Sequence, residues 1–304
     1  MITAMRILVV GAGGLIGQHV VDRLRRGGHE ATTASRTRHA GLDHVVDATT
    51  ATVADLRPLL AGHDGVVFAA GVDDRRTPRR PAYPVFHRGN VEPVRRLFTA
   101  AREEGLGRGV VLGSYYTHFH REHPEWRLAA LHPYVRSRVE QARVAREAAG
   151  FPVAVLELPF VFGRAGDRQP NWAGPLARWA RSGSPLTAPP GGSAATSADR
   201  VAETAVTALE QVSGADLPVA DENMTWHGMF SRIADAVGRP RRVRRLHPAV
   251  LRSALRVAGA ANRLSGKESG LDLAHLDRLL TRELFIGVGR PGALDHAIRE
   301  TFGR

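Results

Sequence analysis

The chain has 304 residues, 43% of them hydrophobic, enough to bury one large core or two linked ones. It contains no cysteine, which excludes disulfides, thiolate metal sites and cysteine nucleophiles. Its formal charge of +12 raises the question of nucleic acid, above all at Arg239 to Arg245, but the cations are scattered and Lys267 is the sole lysine. No nucleic-acid motif accompanies them, and the bias fits a GC-rich genome and an exposed, solvated face. No uninterrupted apolar run approaches membrane-spanning length and the first strand begins almost at once. The expectation is a cytoplasmic protein with no signal peptide, no membrane partner and no specific nucleic acid.

Residues Arg6 to Gly17 read RILVVGAGGLIG, a short apolar strand running into glycines at 11, 14 and 17. A buried strand, a tight glycine turn and a helix start together form a site for a dinucleotide's pyrophosphate. Gly11 permits the turn, Gly14 lets the backbone approach the phosphates, and Gly17 lets the helix pack on the strand. Leu15 and Ile16 open that helix beside the phosphates, Val20, Val21 and Leu24 share one of its faces, and Gly27 and Gly28 end it. Strand and helix patterns alternate beyond it, the signature of a parallel α/β sheet.

The spacing G-x-x-G-x-x-G resembles that of the extended short-chain dehydrogenase/reductases, the epimerase/dehydratase-like group. The resemblance covers nearly the whole chain and implies a Rossmann-type doubly wound parallel sheet. It puts the dinucleotide-binding domain at 1–163 and 196–221, and a smaller, mostly helical substrate domain at 164–195 and 222–304.

The second strand, Glu30 to Ser35, ends at Arg36, with Arg38 close behind. An acidic residue there would bond the ribose hydroxyls of NAD, whereas Arg pairs with the 2′-phosphate of NADP, so NADPH is the expected cofactor. Asp47 follows a short third strand. The resemblance implies that it accepts a hydrogen bond from the adenine amino group, and a helix cap or turn carboxylate is the alternative. The fourth strand, GVVFAAG, brings Ala69, Ala70 and Gly71 beside the cofactor's ribose and phosphate. Residues 72–89 form a polar, proline-rich, basic loop, too long for a plain connector and a candidate lid. Asn90 opens the next helix, matching the family's N-V-x-G-T start with Pro93 in place of the glycine. It either caps this helix or, as the resemblance implies, braces the catalytic strand.

The fifth strand, GVVLGS, delivers Ser114, Tyr115 and Tyr116, and a His-rich loop then leads to a helix beginning near Tyr134. In the family, the tyrosine of Tyr-x-x-x-Lys transfers a proton, helped by an upstream Ser or Thr. The four-residue spacing puts both side chains on one helix face, and the lysine also holds the nicotinamide ribose. The matching segment here is Tyr134 to Arg138, with arginine where the lysine belongs. Arginine can hold ribose hydroxyls, but its pKa exceeds ~12, so the usual proton relay is closed. Ser114 aligns with the catalytic serine, and an alignment one residue further on puts Tyr115 there instead.

His118, His120 and His123 have loop spacing and no fixed carboxylate set, so no metal is expected. Residues 153–158 form a sixth strand running into PFVFG, where the resemblance sets Pro159 and Val161 beside the nicotinamide. Trp172 and Trp179 sit on a short helix, Asp199 caps the helix of 197–210, LPVAD is the final strand, and 222–304 are mostly helical. The activity these features imply is NADPH-dependent reduction of a ketone on a bulky small molecule of the secondary-metabolite kind, by a monomer or homodimer. A nucleotide-sugar epimerase/dehydratase and a non-catalytic NADP-sensing regulator are the alternatives.

Overall fold

The structure, a computed structural model, describes residues 3–287 and 289–303. Ile7 to Val10 are apolar in succession because β1 (Arg6–Val10) lies in a sheet covered on both faces. In α1 (Leu15–Arg26) the buried face is Gly17, Val20, Val21 and Leu24, and a last turn of Arg23, Arg25 and Arg26 suits the helix dipole. There follow β2 (Glu30–Ser35), β3 (His44–Val45), α2 (Val53–Leu60), β4 (Gly65–Phe68), α3 (Tyr83–Phe86), α4 (Glu92–Glu103) and β5 (Arg108–Leu112). The chain continues through α5 (Tyr116–Glu122), α6 (Leu128–Leu131), α7 (Pro133–Ala149) and β6 (Val153–Glu157). After β7 (Phe160–Phe162), α8 (Ala173–Arg181), β8 (Leu186–Ala188) and β9 (Gly192–Ser197), the chain returns through α9 (Ala198–Glu210) and β10 (Asp216–Pro218).

The main sheet has seven strands in the order β10-β6-β5-β4-β1-β2-β3, and all its pairings are parallel. The chain winds outward from β1 through β2 and β3, then crosses to β4 on the other side of β1. A doubly wound sheet opens a crevice at that reversal, beyond the carboxyl ends of the strands. α1 and α9 cover one face through Val20, Leu24, Val201 and Leu209. α2, α4 and α7 cover the other through Leu56, Leu97, Phe98 and Ala145. Each large apolar side chain so buried contributes roughly 1.5–3 kcal/mol.

The remaining elements are β11 (Glu222–Thr225), α10 (Trp226–Ala236), β12 (Val243–Arg245), α11 (Pro248–Leu264), α12 (Leu276–Leu280), β13 (Glu283–Leu284) and α13 (Asp295–Phe302). β9 is the centre of a second sheet, flanked by β7, β11 and β13, while β8 pairs with β12. Phe162, Trp226, Met229 and Phe302 fill a separate core beneath it.

Several local expectations are corrected. Asn90 does not open a helix: the helix begins at Tyr83, widens into a π turn at His87–Val91, and continues as α4. The wide turn falls just before Pro93, where an α-helical hydrogen bond would have lacked its N–H. The loop of 72–89 is thus irregular only as far as Ala82. The His-rich stretch is also largely helical, as α5, a tight turn at Pro124–Trp126, and α6, because Tyr116, Thr117, Phe119 and Leu128 supply a buried side. Ser197, not Asp199, caps α9, accepting from the Arg200 N–H at 3.2 Å, and Asp199 instead meets His19 Nδ1 at 2.8 Å. Trp172 stands at the N-cap of α8, one residue outside it. LPVAD is not the last strand, since β11, β12 and β13 follow it.

His132, at the start of α7, is 1% exposed and its Nδ1 accepts from the Asp272 N–H at 2.9 Å. Burial holds its pKa at about 4, below the ordinary 6.5. The unfolded chain therefore binds the extra proton between those values, and folding stability falls as pH drops from 6.5 towards about 4. His132→Asn keeps an acceptor without the titration. Chemical denaturation of the two proteins across this window is expected to show a shallower acid loss in the variant.

Candidate functional site

The crevice is built from the glycine turn. Gly11 has φ +93°, and a Cβ there would lie 2.6 Å from the Ala69 carbonyl oxygen, so only glycine lets β1 and β4 diverge so closely. A Cβ at Gly17 would meet the Gly11 oxygen at 2.2 Å, which explains the third glycine as a packing requirement. Gly14 is the N-cap of α1, and among the described residues no side chain caps it. The N–H groups of Leu15 and Ile16 are thus without intrahelical partners and stand at the crevice floor.

A cavity of about 460 Å³ runs on from this floor. Its lining includes Gly14, Leu15, Ile16, Ala69, Pro159 and Val161 together with Ser114, Tyr115, Tyr116, Tyr134 and Arg138. The structure thus brings together these cofactor and catalytic candidates. Arg36 lies apart on the exposed edge beyond β2. Asp47 turns back on its own chain, accepting from the Thr49 N–H at 2.9 Å and the Thr49 hydroxyl at 2.7 Å. Those two bonds hold its carboxyl below the ordinary range.

Arg138 is buried at 8% exposure and hydrogen-bonded on every side but one. Its Nε donates to the Tyr134 hydroxyl at 3.1 Å, Nη1 to the Leu112 carbonyl at 3.3 Å and Gln141 Oε1 at 2.9 Å, and Nη2 to the Val72 carbonyl at 3.4 Å. Of five guanidinium N–H groups, one remains. Because arginine can only donate, the Tyr134 hydroxyl accepts this bond and its own O–H is free to face the cavity.

Asn90 is fully buried in the π turn: Oδ1 accepts from the Val72 N–H at 2.7 Å, and Nδ2 donates to the Val72 carbonyl at 3.2 Å and the Ser137 hydroxyl at 3.0 Å. It braces the end of β4 against α7 and caps nothing. Gly71 belongs to the same brace, since a Cβ there would lie 2.8 Å from Asn90 Oδ1 and 3.4 Å from the Arg138 guanidinium. Ala70 packs into the core beneath, against the α2/α4 face.

Ser114 is 3% exposed, and its Oγ receives only a long 3.5 Å contact from the Tyr116 N–H. Tyr115 is committed elsewhere: its hydroxyl accepts from the Ser193 hydroxyl at 3.1 Å, and burial pushes its pKa up to about 12. Burial also holds the Tyr116 phenol well above its usual range. The histidines do not converge. His118 faces Glu157 at 3.7 Å and His123 stacks on Trp126 with ring centres 4.0 Å apart. Among the described residues no three His, Cys, Asp or Glu side chains gather in a metal-binding group.

The model of the NAD dependent epimerase/dehydratase family matches residues 7–212. The chain belongs to that family. Its fold is similar over 97% of the chain to gox2253 (TM-score 0.73, 19% identity, 96% of that chain). It is also similar to UDP-N-acetylglucosamine 4-epimerase from Bacillus cereus (TM-score 0.67, 17% identity, 98% of this chain and 96% of that one). A third likeness is to dTDP-4-dehydrorhamnose reductase from Bacillus anthracis str. Ames in complex with NADP (TM-score 0.63, 11% identity, 80% and 84%). None of the curated proteins matches the sequence.

An epimerase/dehydratase-family member uses a nicotinamide cofactor, and the crevice of this chain fits one. The uncapped α1 terminus suits a pyrophosphate, and Gly13 lets the turn lie close against the β2–β3 connection, an approach that the glycine spacing alone did not reveal. A Cβ at Gly13 would lie 2.6 Å from His39 Nε2 and 2.8 Å from the Ser35 hydroxyl. That His39 nitrogen is buried without a hydrogen-bond partner among the described residues, at the edge where Arg36 and Arg38 are exposed. His39 Nδ1 meets the Ala40 carbonyl at 3.1 Å and so carries the ring proton, which leaves Nε2 a lone-pair acceptor. The donors at this edge suited to an anionic oxygen are the exposed guanidinium groups of Arg36 and Arg38.

Two further cavity residues, Asp73 and Asp74, were hidden in a basic loop. Burial would raise Asp73, but the Arg75 guanidinium on its carboxylate outweighs this and holds it low, with Asn171 Nδ2 also donating at 3.2 Å. Asp74 goes the other way: burial raises its pKa despite Arg75, and it has no ion pair among the described residues. Adjacent carboxyls driven apart in this manner are suited to different protonation states at one pH.

Two expectations follow for titration and melting experiments. Arg36→Ala is expected to weaken NADPH by about tenfold or more while leaving NADH within about twofold, since charge-assisted bonds contribute ~1.5–3 kcal/mol. Nicotinamide fluorescence titration reads both, and equal losses for the two cofactors would exclude a phosphate-specific role. Asp74→Asn removes a carboxyl whose charging in the folded state is unfavourable. Its Tm should exceed that of the parent at pH 8, with the gain shrinking as pH falls towards 3.8, where the unfolded carboxyl also protonates.

Proposed function

We propose that this protein is an NADPH-dependent reductase of a ketone on a bulky, partly aromatic small molecule, with Tyr134 delivering the proton. The observation that carries this reading is the Arg138–Tyr134 bond, which fixes the phenol oxygen in the cavity and leaves its O–H outward. Bound NADPH would supply a hydride. The remaining work falls to the side chains. Ser114, with no strong partner for its hydroxyl among the described residues, is available to donate to the carbonyl oxygen. Tyr134 gives its proton to that oxygen as charge develops on it. Arg138 supplies fixed positive charge and one spare N–H for the nicotinamide ribose. It cannot relay a proton, so Asp74, a cavity residue whose carboxyl is shifted by burial towards its protonated form, is the group suited to restore the phenol.

The same cavity is also lined by Phe160, Arg168, Gln169, Asn171 and Trp172, aromatic and polar side chains together. That lining supports a ring-bearing substrate with several hydrogen-bonding groups, as secondary-metabolite ketones are. Arg36, exposed at the end of β2, supports NADPH as a dissociable substrate. Epimerases, by contrast, retain their nucleotide. The full-length likeness to UDP-N-acetylglucosamine 4-epimerase favours the nucleotide-sugar alternative, and a nucleotide co-purifying with the protein would select it.

The decisive variant is Tyr134→Phe. Against a panel of aromatic ketones with NADPH, it is expected to lower kcat by about 100-fold or more, the range of general acid catalysis. NADPH affinity should stay within about twofold, because Arg138 keeps its backbone and Gln141 acceptors. Full activity in this variant would remove the phenol from the mechanism.

A further inference from the structure

Helix α11 presents an unpartnered apolar face. It is amphipathic towards the body of the protein through Leu251 and Gly259, the buried residues on its inner side. On the outer side Val250, Val257 and Leu264 are 56%, 70% and 91% exposed. Among the described residues these are three of the five exposed large hydrophobic side chains. Their spacing of seven residues puts all three on one line, and the exposed Ala254 and Ala261 widen the stripe. At 17 residues the helix is roughly 25 Å long, too short to cross a bilayer and suited to lying along a surface.

The charge around this face selects its occupant. From Arg239 to Lys267 the sequence has eight arginines and one lysine and no aspartate or glutamate. Arg239 and Arg241 donate to carbonyls of the 180–184 turn, and Arg252 pairs with Asp277 at 3.0 Å. The other six, Arg242, Arg244, Arg245, Arg256, Arg263 and Lys267, are exposed without an ion pair among the described residues. More cations join at the C-terminal end of the helix. Arg80 N–H donates to the Gly266 carbonyl at 2.9 Å and Glu268 N–H to that of Pro78 at 2.9 Å, which fastens the segment of Arg76, Arg79 and Arg80 beside Lys267. A second copy of this chain on the same face would bring like charges together. An anionic lipid surface would satisfy both the stripe and the cations.

We infer that α11 docks in the plane of an anionic membrane surface, with Val250, Val257 and Leu264 entering the headgroup boundary and the flanking arginines meeting lipid phosphates. The early expectation of no membrane partner rests on the absence of a long apolar run, a criterion blind to an in-plane helix. This inference stands independently of the proposed reductase activity.

Co-sedimentation of the full chain with vesicles of phosphatidylcholine alone, or with about one third phosphatidylglycerol, tests it. The expected result is at least about tenfold tighter partitioning onto the anionic vesicles, weakened by about 0.5 M salt. The Val250→Glu/Val257→Glu/Leu264→Glu variant should lose that partitioning while keeping the parent's Tm, because these side chains contribute nothing to the core. Absence of binding to anionic vesicles would overturn the inference. So would binding that the triple variant leaves unchanged, which would make the surface purely electrostatic. A dimer seen in analytical ultracentrifugation and dissolved by the same variant would overturn it too, by assigning the face to a second copy.

Discussion

A guanidinium buried beneath the end of a parallel sheet has to be surrounded by acceptors, and the geometry of the candidate site follows from how Arg138 meets that demand. An unpaired charge at such a depth costs several kcal/mol. The acceptors come from three places: the Leu112 carbonyl at the end of β5, the Val72 carbonyl beyond β4, and Gln141 and Tyr134 on α7 itself. Because they lie on separate elements, satisfying the charge fixes α7 against the sheet. It also fixes the direction of the Tyr134 oxygen. Asn90 and Gly71 then become intelligible as parts of one frame, since Gln141 also donates to the Asn90 carbonyl at 2.9 Å.

A lysine in the same place would have three donors on a single nitrogen and a flexible stem. It could not reach Leu112, Gln141, Val72 and the phenol together with a planar fork. The arginine therefore trades proton mobility for rigidity. The same cavity is lined by Asp73 and Asp74, whose carboxyl pKa values move in opposite directions, Asp73 down through Arg75 and Asp74 up through burial. In the proposed mechanism, positive charge and transferable proton, which one lysine combines in the Tyr-x-x-x-Lys pattern, fall separately to Arg138 and Asp74.

The glycine turn, α1 and the alternation of strands were legible because each is a local pattern with one physical solution. Gly11 and Gly17 have to be glycine whatever lies further along the chain. The brace made by Asn90 was half legible: the residue stood out, but a cap and a brace differ only in where the side chain points, and the π turn decides that. The helical nature of 116–131 was obscured by its polar histidines and arginines, since only Tyr116, Phe119 and Leu128 signal a buried side. Asp74 and His39 were not legible at all. Each depends on a long-range approach, of the 73–75 segment to the tyrosines and of the β2–β3 connection to Gly13, that no spacing encodes.

The segment from Asp73 to Arg80 links the two ends of the molecule's chemistry. Its first residues line the cavity, and its last are hydrogen-bonded to the turn that closes α11. The Gly270 carbonyl, a few residues further on, accepts from the Tyr134 N–H at 2.9 Å, and the Gly270 N–H donates to the Arg76 carbonyl at 3.2 Å. The start of α7, the cavity wall and the end of α11 therefore share one set of backbone bonds. A force applied to α11 at a surface has a short, covalent and hydrogen-bonded route to Asp74 and Tyr134. Such an arrangement suits an enzyme whose bulky substrate arrives from an interface, because docking and the opening of the cavity wall would act on the same strap.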